Sequence, residues 1–119
     1  MKRTILISLL LALAPAVNAE TATAMFAGGC FWCMESAYQG REGVSDVVSG
    51  FTGGSIANPT YKGDHTGHFE AVQVTYDPSI VSYQQLLDVY WVNVDPLDNA
   101  GQFCDKGPSY RSAIFPGTE

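Results

Sequence analysis

Apolar residues recur along this chain with a period of two in some stretches and with a helical period in others. The clearest period of two covers residues 70–76, where Val72 and Val74 lie in one row of a predicted strand. Glu70 belongs to the same row by parity, so we expect its carboxyl group to be drawn against the apolar core. The Asp-Pro pair at residues 77–78 ends this strand.

Two stretches have helical spacing. Ser82 and Gln85 form a capping-box pair at the start of the stronger helix. Its apolar stripe consists of Tyr83, Leu86, Leu87, Tyr90, Trp91 and Val94. The first helix has apolar residues at i, i+3 and i+7, namely Phe31, Met34 and Tyr38. Gly40 is suited to end that helix.

Further strands are predicted over residues 24–27, 44–51 and 110–115, and polar loops over residues 55–67 and 97–109. The order strand, helix, strand, strand, helix, strand is that of the split βαβ, or ferredoxin-like, plan. The predicted fold class is therefore an α+β two-layer sandwich, with a mainly antiparallel sheet and two helices on one face. The plan does not by itself indicate a function.

Residues 1–19 have the pattern of a secretory signal peptide. Lys2 and Arg3 precede an uncharged apolar run that Pro15 interrupts after roughly ten residues, short of the roughly 18 that a membrane anchor needs. We expect cleavage, export to the periplasm or beyond, and no stable membrane anchor. We also expect residues 20–119 to form one domain whose C-terminal part is missing.

Charge and cysteine content narrow the classes of function. The formal net charge is −6, and loss of Lys2 and Arg3 with the leader makes it more negative, which argues against nucleic acid as a partner. Three cysteines are an odd number for an exported protein and fit poorly with a purely structural disulfide framework. At least one thiol is therefore left to react.

Cys30 is the leading candidate nucleophile. It follows an apolar run and two glycines and precedes the first helix, where free N–H groups and the helix dipole favour a thiolate. Cys33 lies one turn further on and is placed to close a disulfide after Cys30 is oxidised. The alternatives are a static disulfide, two buried thiols, or a thioredoxin-type dithiol-disulfide oxidoreductase that uses this CxxC pair.

Two further interpretations involve other residues. Cys30, Cys33, His65 and His68 have CxxC and HxxH spacing, so a small zinc-binding module is an open alternative. Cys104 is a second candidate to accept a disulfide, and Asp105 beside it is by default a solvated turn residue.

Glu70 is the candidate general acid, because desolvation of a carboxyl group raises its pKa. The competing interpretation is a solvated glutamate at a strand end. Phe31 and Trp32 are either core residues or an apolar cage for a substrate. Tyr61 and Tyr110 are either packing residues or donors of phenolic hydrogen bonds.

Six segments of the chain resemble, in order, the signature blocks of the A-type peptide methionine sulfoxide reductases. They are GCFWCME at residues 29–35, GFTGG at 50–54, NPTY at 58–61, TGHFEAV at 66–72, YDP at 76–78 and SYRSAI at 109–114. The resemblance covers essentially residues 24–119. Six blocks in one order are far more specific than any single block.

The resemblance implies reduction of methionine (S)-sulfoxide, free or in proteins, to methionine without a metal or organic cofactor. Cys30 matches the nucleophile that attacks the sulfoxide sulfur, and Glu70 matches the acid that protonates the departing oxygen. Tyr61 and Tyr110 match the tyrosines that hydrogen-bond this oxygen, and Asp105 matches the aspartate that helps to orient the site.

By the same resemblance, Phe31 and Trp32 match the wall that holds the substrate's methyl group. Turnover is expected to leave a sulfenic acid, which a second thiol converts to a disulfide and a thioredoxin-like reductant reopens. Many family members carry glycine in place of Cys33, so the resolving thiol is open between Cys33, Cys104 and a cysteine in a missing tail. The expected oligomeric state is a monomer.

Overall fold

The computed structural model describes residues 20–117, so the predicted signal peptide lies outside the described residues. The elements are β1 Ala22–Gly28, α1 Phe31–Tyr38, β2 Val44–Thr52, β3 Phe69–Tyr76, α2 Tyr83–Asn93, β4 Gly101–Gln102, β5 Asp105–Lys106 and β6 Ser112–Phe115. A short 3₁₀ helix, Pro108–Tyr110, precedes β6. Within the described part of the chain, neither α-helix is long and apolar enough to cross a membrane.

Four strands form the main sheet in the order β2-β3-β1-β6, and every neighbouring pair in it is antiparallel. The apolar sides of both helices pack into one cluster with the sheet residues Phe26, Val72 and Val74. This confirms the predicted α+β two-layer sandwich of ferredoxin-like order. β3 lies between β1 and β2, so its side chains on the helix face are covered.

Phe26 of β1 lies at the centre of the core. Its ring packs against Tyr38 at 5.3 Å and Tyr90 at 5.5 Å between centroids. The Tyr38 hydroxyl donates to the Leu86 carbonyl and the Tyr90 hydroxyl to the Ala27 carbonyl, both at 2.9 Å. Because a buried phenol needs an acceptor, these bonds fix how each helix sits on its neighbour.

Helix α2 begins as predicted. The Gln85 N–H donates to Ser82 Oγ at 3.1 Å, and the Ser82 N–H donates to Gln85 Oε1 at 2.8 Å. Leu86 and Tyr90 are buried, but the inclusion of Trp91 in the apolar stripe was wrong, since its side chain is 50% exposed. Its ring packs edge-on against Tyr90 at the margin of the stripe.

The segment predicted as a loop over residues 97–109 has structure of its own. It contains the β4–β5 hairpin, and the 3₁₀ helix then delays the last strand to Ser112. At the hairpin turn Phe103 adopts φ 51°, in the left-handed region that favours glycine. No glycine or asparagine stands at residues 103–104 to indicate such a turn.

Candidate active site

Cys30 is the N-cap residue of α1 and is partly exposed. The chain turns from β1 into the helix through Gly29, whose φ of 90° is unfavourable for other residues. The Cys30 carbonyl accepts the N–H groups of Cys33 at 3.1 Å and Met34 at 3.2 Å, which begins the helix. The predicted position of Cys30 at a strand-to-helix junction is confirmed.

Glu70 on β3 is only 2% exposed, so its predicted burial is confirmed. Its Oε2 accepts a hydrogen bond of 3.0 Å from the backbone N–H of Phe31, the residue after Cys30. Burial raises the pKa of Glu70, and the hydrogen bond from Phe31 offsets part of this rise. The carboxyl group therefore holds its proton to higher pH than an exposed glutamate does, next to the candidate nucleophile.

Tyr110 lies where the other polar candidates converge. Its pKa is raised, first by the negative charge of Glu70, then by burial, and further by Tyr61, Asp105 and Cys30. These groups therefore lie near enough to Tyr110 for their charges to act on its phenol. The raised pKa keeps the Tyr110 phenol protonated and able to donate a hydrogen bond.

Three aromatic side chains line the same site. Phe31 is buried, whereas Trp32 is 56% exposed. Ring centroids are 5.5 Å apart for Phe31 and Trp32, 5.2 Å for Trp32 and Tyr61, and 6.0 Å for Phe31 and Tyr61. Phe31 is thus a core residue that also packs against Trp32 and Tyr61, while Trp32 supplies exposed apolar surface.

Two members of this aromatic group were not predicted as site residues. Phe51 packs on Phe31 with 5.5 Å between ring centroids, and His65 stacks on Phe51 at 4.7 Å. Phe51 stands in the GFTGG block, which is a signal that the sequence did offer. His65 was considered only as a zinc ligand, and nothing in its spacing indicates contact with an aromatic ring 14 residues earlier.

His68, one of the four residues of the zinc alternative, has other partners. His68 is buried, its Nδ1 accepts the Gly54 N–H at 3.3 Å, and its Nε2 lies 3.0 Å from the Ile56 carbonyl oxygen. Metal binding through either ring nitrogen would break one of these backbone contacts. Within residues 20–117 no three His, Cys, Asp or Glu side chains converge as a metal site.

Each of the two candidate resolving thiols is free and exposed. Cys33 lies on the first turn of α1, where burial and the neighbouring Cys30 raise its pKa. Cys33 therefore holds its proton to higher pH than a free cysteine does. Cys104 lies in the turn of the β4–β5 hairpin, which approaches the Cys30 segment through Gln102.

Gln102 is a buried polar residue that sequence reasoning missed. Its Oε1 accepts the Asp95 N–H at 2.7 Å, and its Nε2 donates to the Asp95 and Gly101 carbonyls, both at 2.8 Å. A Cβ on Gly29 would lie 2.6 Å from the Gln102 Cβ, so the hairpin rests directly on the residue before Cys30. Gln102 thereby attaches the hairpin that carries Asp105 to the end of α2 and to the start of α1.

Together, the ferredoxin-like layers and this grouping of a helix-capping cysteine, a buried carboxyl group and two phenols define an α+β domain with a thiol-centred site. The family model for peptide methionine sulfoxide reductase matches residues 22–119. The chain belongs to this family, which confirms the resemblance seen in the six sequence blocks.

Curated relatives agree with this assignment. The chain is 58% identical over 108 residues to peptide methionine sulfoxide reductase MsrA 2 of Caulobacter vibrioides, covering 87% of this chain and 55% of that protein. It is 54% identical over 95 residues to MsrA of Listeria monocytogenes, covering 77% and 54% respectively. The chain thus spans about half the length of these relatives.

Solved structures give the same result. Methionine sulfoxide reductase A of Corynebacterium diphtheriae superposes with a TM-score of 0.79 at 34% identity, over 86% of this chain and 50% of that one. The reduced form of Mxr1 from Saccharomyces cerevisiae superposes with a TM-score of 0.72 at 25% identity, over 84% and 61%.

Proposed function

We propose that this chain reduces methionine (S)-sulfoxide, free or within oxidised proteins, to methionine, and so repairs oxidative damage. The observation that carries the proposal is the contact between Glu70 and the N–H of Phe31, which brings a buried acid beside Cys30. A sulfoxide sulfur is a poor electrophile until its oxygen is protonated, so nucleophile and acid must act at one place. Membership of the peptide methionine sulfoxide reductase family supports the same reaction.

In the proposed reaction the Cys30 thiolate attacks the sulfoxide sulfur while Glu70 gives its proton to the oxygen. Tyr61 and Tyr110 donate hydrogen bonds to that oxygen, and Asp105 helps to orient the site. The oxygen passes to the Cys30 sulfur, methionine leaves with a neutral thioether, and Cys30 is left as a sulfenic acid. Cysteine is thus oxidised by two electrons as methionine sulfoxide is reduced by two.

Phe31 and Trp32 are proposed to hold the methyl group of the substrate. The exposed face of Trp32 and its contacts with Phe31 and Tyr61 offer an apolar surface next to Cys30. An apolar surface that contacts only the methyl group discriminates weakly by itself. Recognition of the (S) epimer therefore requires the oxygen-directed donors and the methyl contact together.

Regeneration needs a second thiol. Attack of Cys33 or Cys104 on the sulfenic acid expels water and forms a disulfide, which a thioredoxin-like reductant then reopens. The position of Cys33 one turn from Cys30 favours Cys33, and the hairpin contact at Gly29 supports Cys104 as the second candidate. The reaction as proposed uses no metal or organic cofactor.

To test the proposal, purified protein is given dithiothreitol and a methionine sulfoxide peptide, with the (S) and (R) epimers in separate reactions. Reduction of each epimer is measured. Reduction of the (S) epimer alone is expected. Mass mapping after one turnover without reductant identifies the partner of Cys30. Reduction of insulin disulfides without sulfoxide reduction would instead favour the thioredoxin-type alternative, whose supporting observation is the CxxC pair at the start of α1.

We further propose that the protein is exported to the periplasm or secreted, after cleavage near residue 19, and acts as a monomer without a stable membrane anchor. The basic start and short apolar run of residues 1–19 support the export and the cleavage. N-terminal sequencing of the protein recovered from the periplasmic fraction or the medium, together with its mass in solution, tests each part.

A further inference from the structure

Phe31, Trp32 and Tyr61 form a group of aromatic side chains beside Cys30, here called the aromatic cage. A closed circuit of contacts links this cage to His65. Phe31 packs on Phe51 at 5.5 Å, and Phe51 stacks on His65 at 4.7 Å with 22° between the ring planes. His65 Nδ1 lies 3.0 Å from the carbonyl oxygen of Thr60. Tyr61 follows Thr60 in the chain and packs back on Phe31 at 6.0 Å.

The segment that carries Tyr61 has no helix or strand over residues 53–68. Its base is attached by the buried His68, which bonds to the Gly54 N–H and lies against the Ile56 carbonyl. Its tip is attached by His65, through the Thr60 carbonyl on one side and the ring of Phe51 on the other. The two histidines of the HxxH pair therefore hold two ends of one loop.

The chemistry of the Thr60 contact fixes the orientation of the imidazole ring. A carbonyl oxygen only accepts hydrogen bonds, so a hydrogen bond to Thr60 requires a proton on Nδ1 of His65. With Nδ1 directed at Thr60, the ring face lies flat on Phe51 of β2. Since Tyr61 is 50% exposed, its own burial does little to hold it against Trp32.

We propose that His65 is a positioning residue that closes the aromatic cage, by tying the loop tip to β2 so that the Tyr61 ring stays over Trp32. In this proposal His65 acts on the substrate through Tyr61. The inference rests on the proposed function only where it assigns the cage to the methyl group of a sulfoxide. The packing of Tyr61 on Trp32 is measurable without any substrate.

The experiment uses Trp32 fluorescence. The chain has two tryptophans, so Trp91→Phe leaves Trp32 as the single reporter. In that background, His65→Ala is expected to shift Trp32 emission to longer wavelength and to increase its quenching by acrylamide. Lys62→Ala, a change beside Tyr61 at an exposed side chain that takes no part in the ring of contacts, is the matched control and is expected to change neither quantity.

Two conservative variants separate the two contacts. His65→Asn keeps an N–H donor for the Thr60 carbonyl and loses the stacking, whereas His65→Phe keeps the stacking on Phe51 and loses the donor. Each is expected to restore part of the protection of Trp32. In sulfoxide reduction, His65→Ala is expected to lower kcat/KM about tenfold, because Tyr61 is then held less firmly beside Trp32.

A double variant distinguishes positioning from general stability. Tyr61→Ala alone is expected to expose Trp32 as much as His65→Ala does, and His65→Ala is expected to add nothing in that background. Unchanged Trp32 quenching in His65→Ala, or an effect that persists fully beside Tyr61→Ala, overturns the proposal. If quenching changes as expected while even the Trp91→Phe parent fails to reduce sulfoxide, the cage stands and the proposed function fails.

Discussion

The two sides of the candidate site are held by different parts of the fold. Cys30 lies at the start of α1 and is partly exposed, and Glu70 lies on β3 with its side chain buried. Tyr61 and Asp105 lie on an irregular loop and on a two-residue strand, and both side chains are exposed. The difference shows that the start of α1 and the core of the sheet place the candidate nucleophile and the candidate acid, while a few local contacts place the groups around them.

Each of those local contacts consists of one polar side chain bonded to backbone groups. Gln102 attaches the hairpin of Asp105 through the backbone of Asp95, and His65 attaches the loop of Tyr61 through the backbone of Thr60. In each case one polar side chain satisfies backbone groups of a segment that has little secondary structure. Changes on the core side, at Cys30 or Glu70, should therefore affect the chemical step. Changes on the loop side should affect the positions of Tyr61 and Asp105.

The largest expected effect belongs to the core side. Cys30→Ser should abolish sulfoxide reduction, because a serine hydroxyl is not ionised at neutral pH and is a much weaker nucleophile toward sulfur. The thermal midpoint should not fall, since serine is a favourable N-cap residue for α1. Activity with dithiothreitol and a circular dichroism melt measure the two quantities. Activity retained by this variant would show that Cys30 is not the nucleophile.

Replacing the candidate acid Glu70 tests the core side with a smaller expected loss of activity. Glu70→Gln keeps the side-chain volume and an oxygen for the Phe31 N–H but loses the transferable proton. The rate of a single turnover should fall about 10²- to 10⁴-fold, the usual contribution of a positioned general acid. Rapid-quench measurement of methionine formation gives the rate. A fall of less than about threefold would remove Glu70 from the role of acid.

A change on the loop side, at Gln102, should have a smaller effect on the reaction than the changes at Cys30 and Glu70. Gln102→Met leaves the Asp95 N–H and carbonyl without their side-chain partner and should cost about 1–3 kcal/mol in the free energy of unfolding. It should also make Asp105→Asn less harmful than in the parent protein, because the hairpin no longer holds residue 105 in place. Urea unfolding and a double-variant kinetic cycle measure these effects.

The matched control is Gln73→Met, at an exposed glutamine of β3 that faces away from the site. It should change neither stability nor the effect of Asp105→Asn. Full additivity of the Gln102 and Asp105 changes would mean that Gln102 stabilises the fold without positioning the aspartate.

The smallest effect is a pH dependence of stability on the core side. Burial raises the pKa of Glu70, so the folded state binds this proton more tightly than the unfolded state does. The contribution of Glu70 to stability is therefore lost as pH rises from the pKa of the unfolded state through the raised pKa of the folded state. The Glu70→Gln variant has no such contribution to lose. The thermal midpoint of the variant relative to the parent should rise between about pH 4 and pH 8. A difference that is constant over this range, after both melts are shown to be reversible, would contradict the prediction.

Sequence reasoning was most successful where a pattern is local. The capping box at Ser82 and Gln85, the alternation that turns Glu70 inward and the glycine turn before Cys30 were all confirmed, because each depends on neighbours within one turn or one strand. It failed at Trp91, where helical spacing alone does not show how wide the covered stripe is.

The β4–β5 hairpin shows why the remainder was not predictable. Strands of two residues have no period to detect, and the turn at Phe103 lacks the glycine or asparagine that indicates a left-handed residue. Its position depends on the fit of Gln102 against Gly29, residues that are far apart in the chain. Such a contact leaves no trace in either local sequence.

The amino-acid order alone sufficed for the order of the four main strands and two helices, the position of Cys30 before the first helix and the family, because periodicity, capping and ordered motif blocks are properties of short segments. Tertiary structure was needed to bring Glu70 against the N–H of Phe31, 39 residues away. It was also needed to link Phe51 and His65 to the aromatic cage that contains Tyr61. The physical reason is that burial and hydrogen-bond partners at this site come from segments that meet only when the sheet closes.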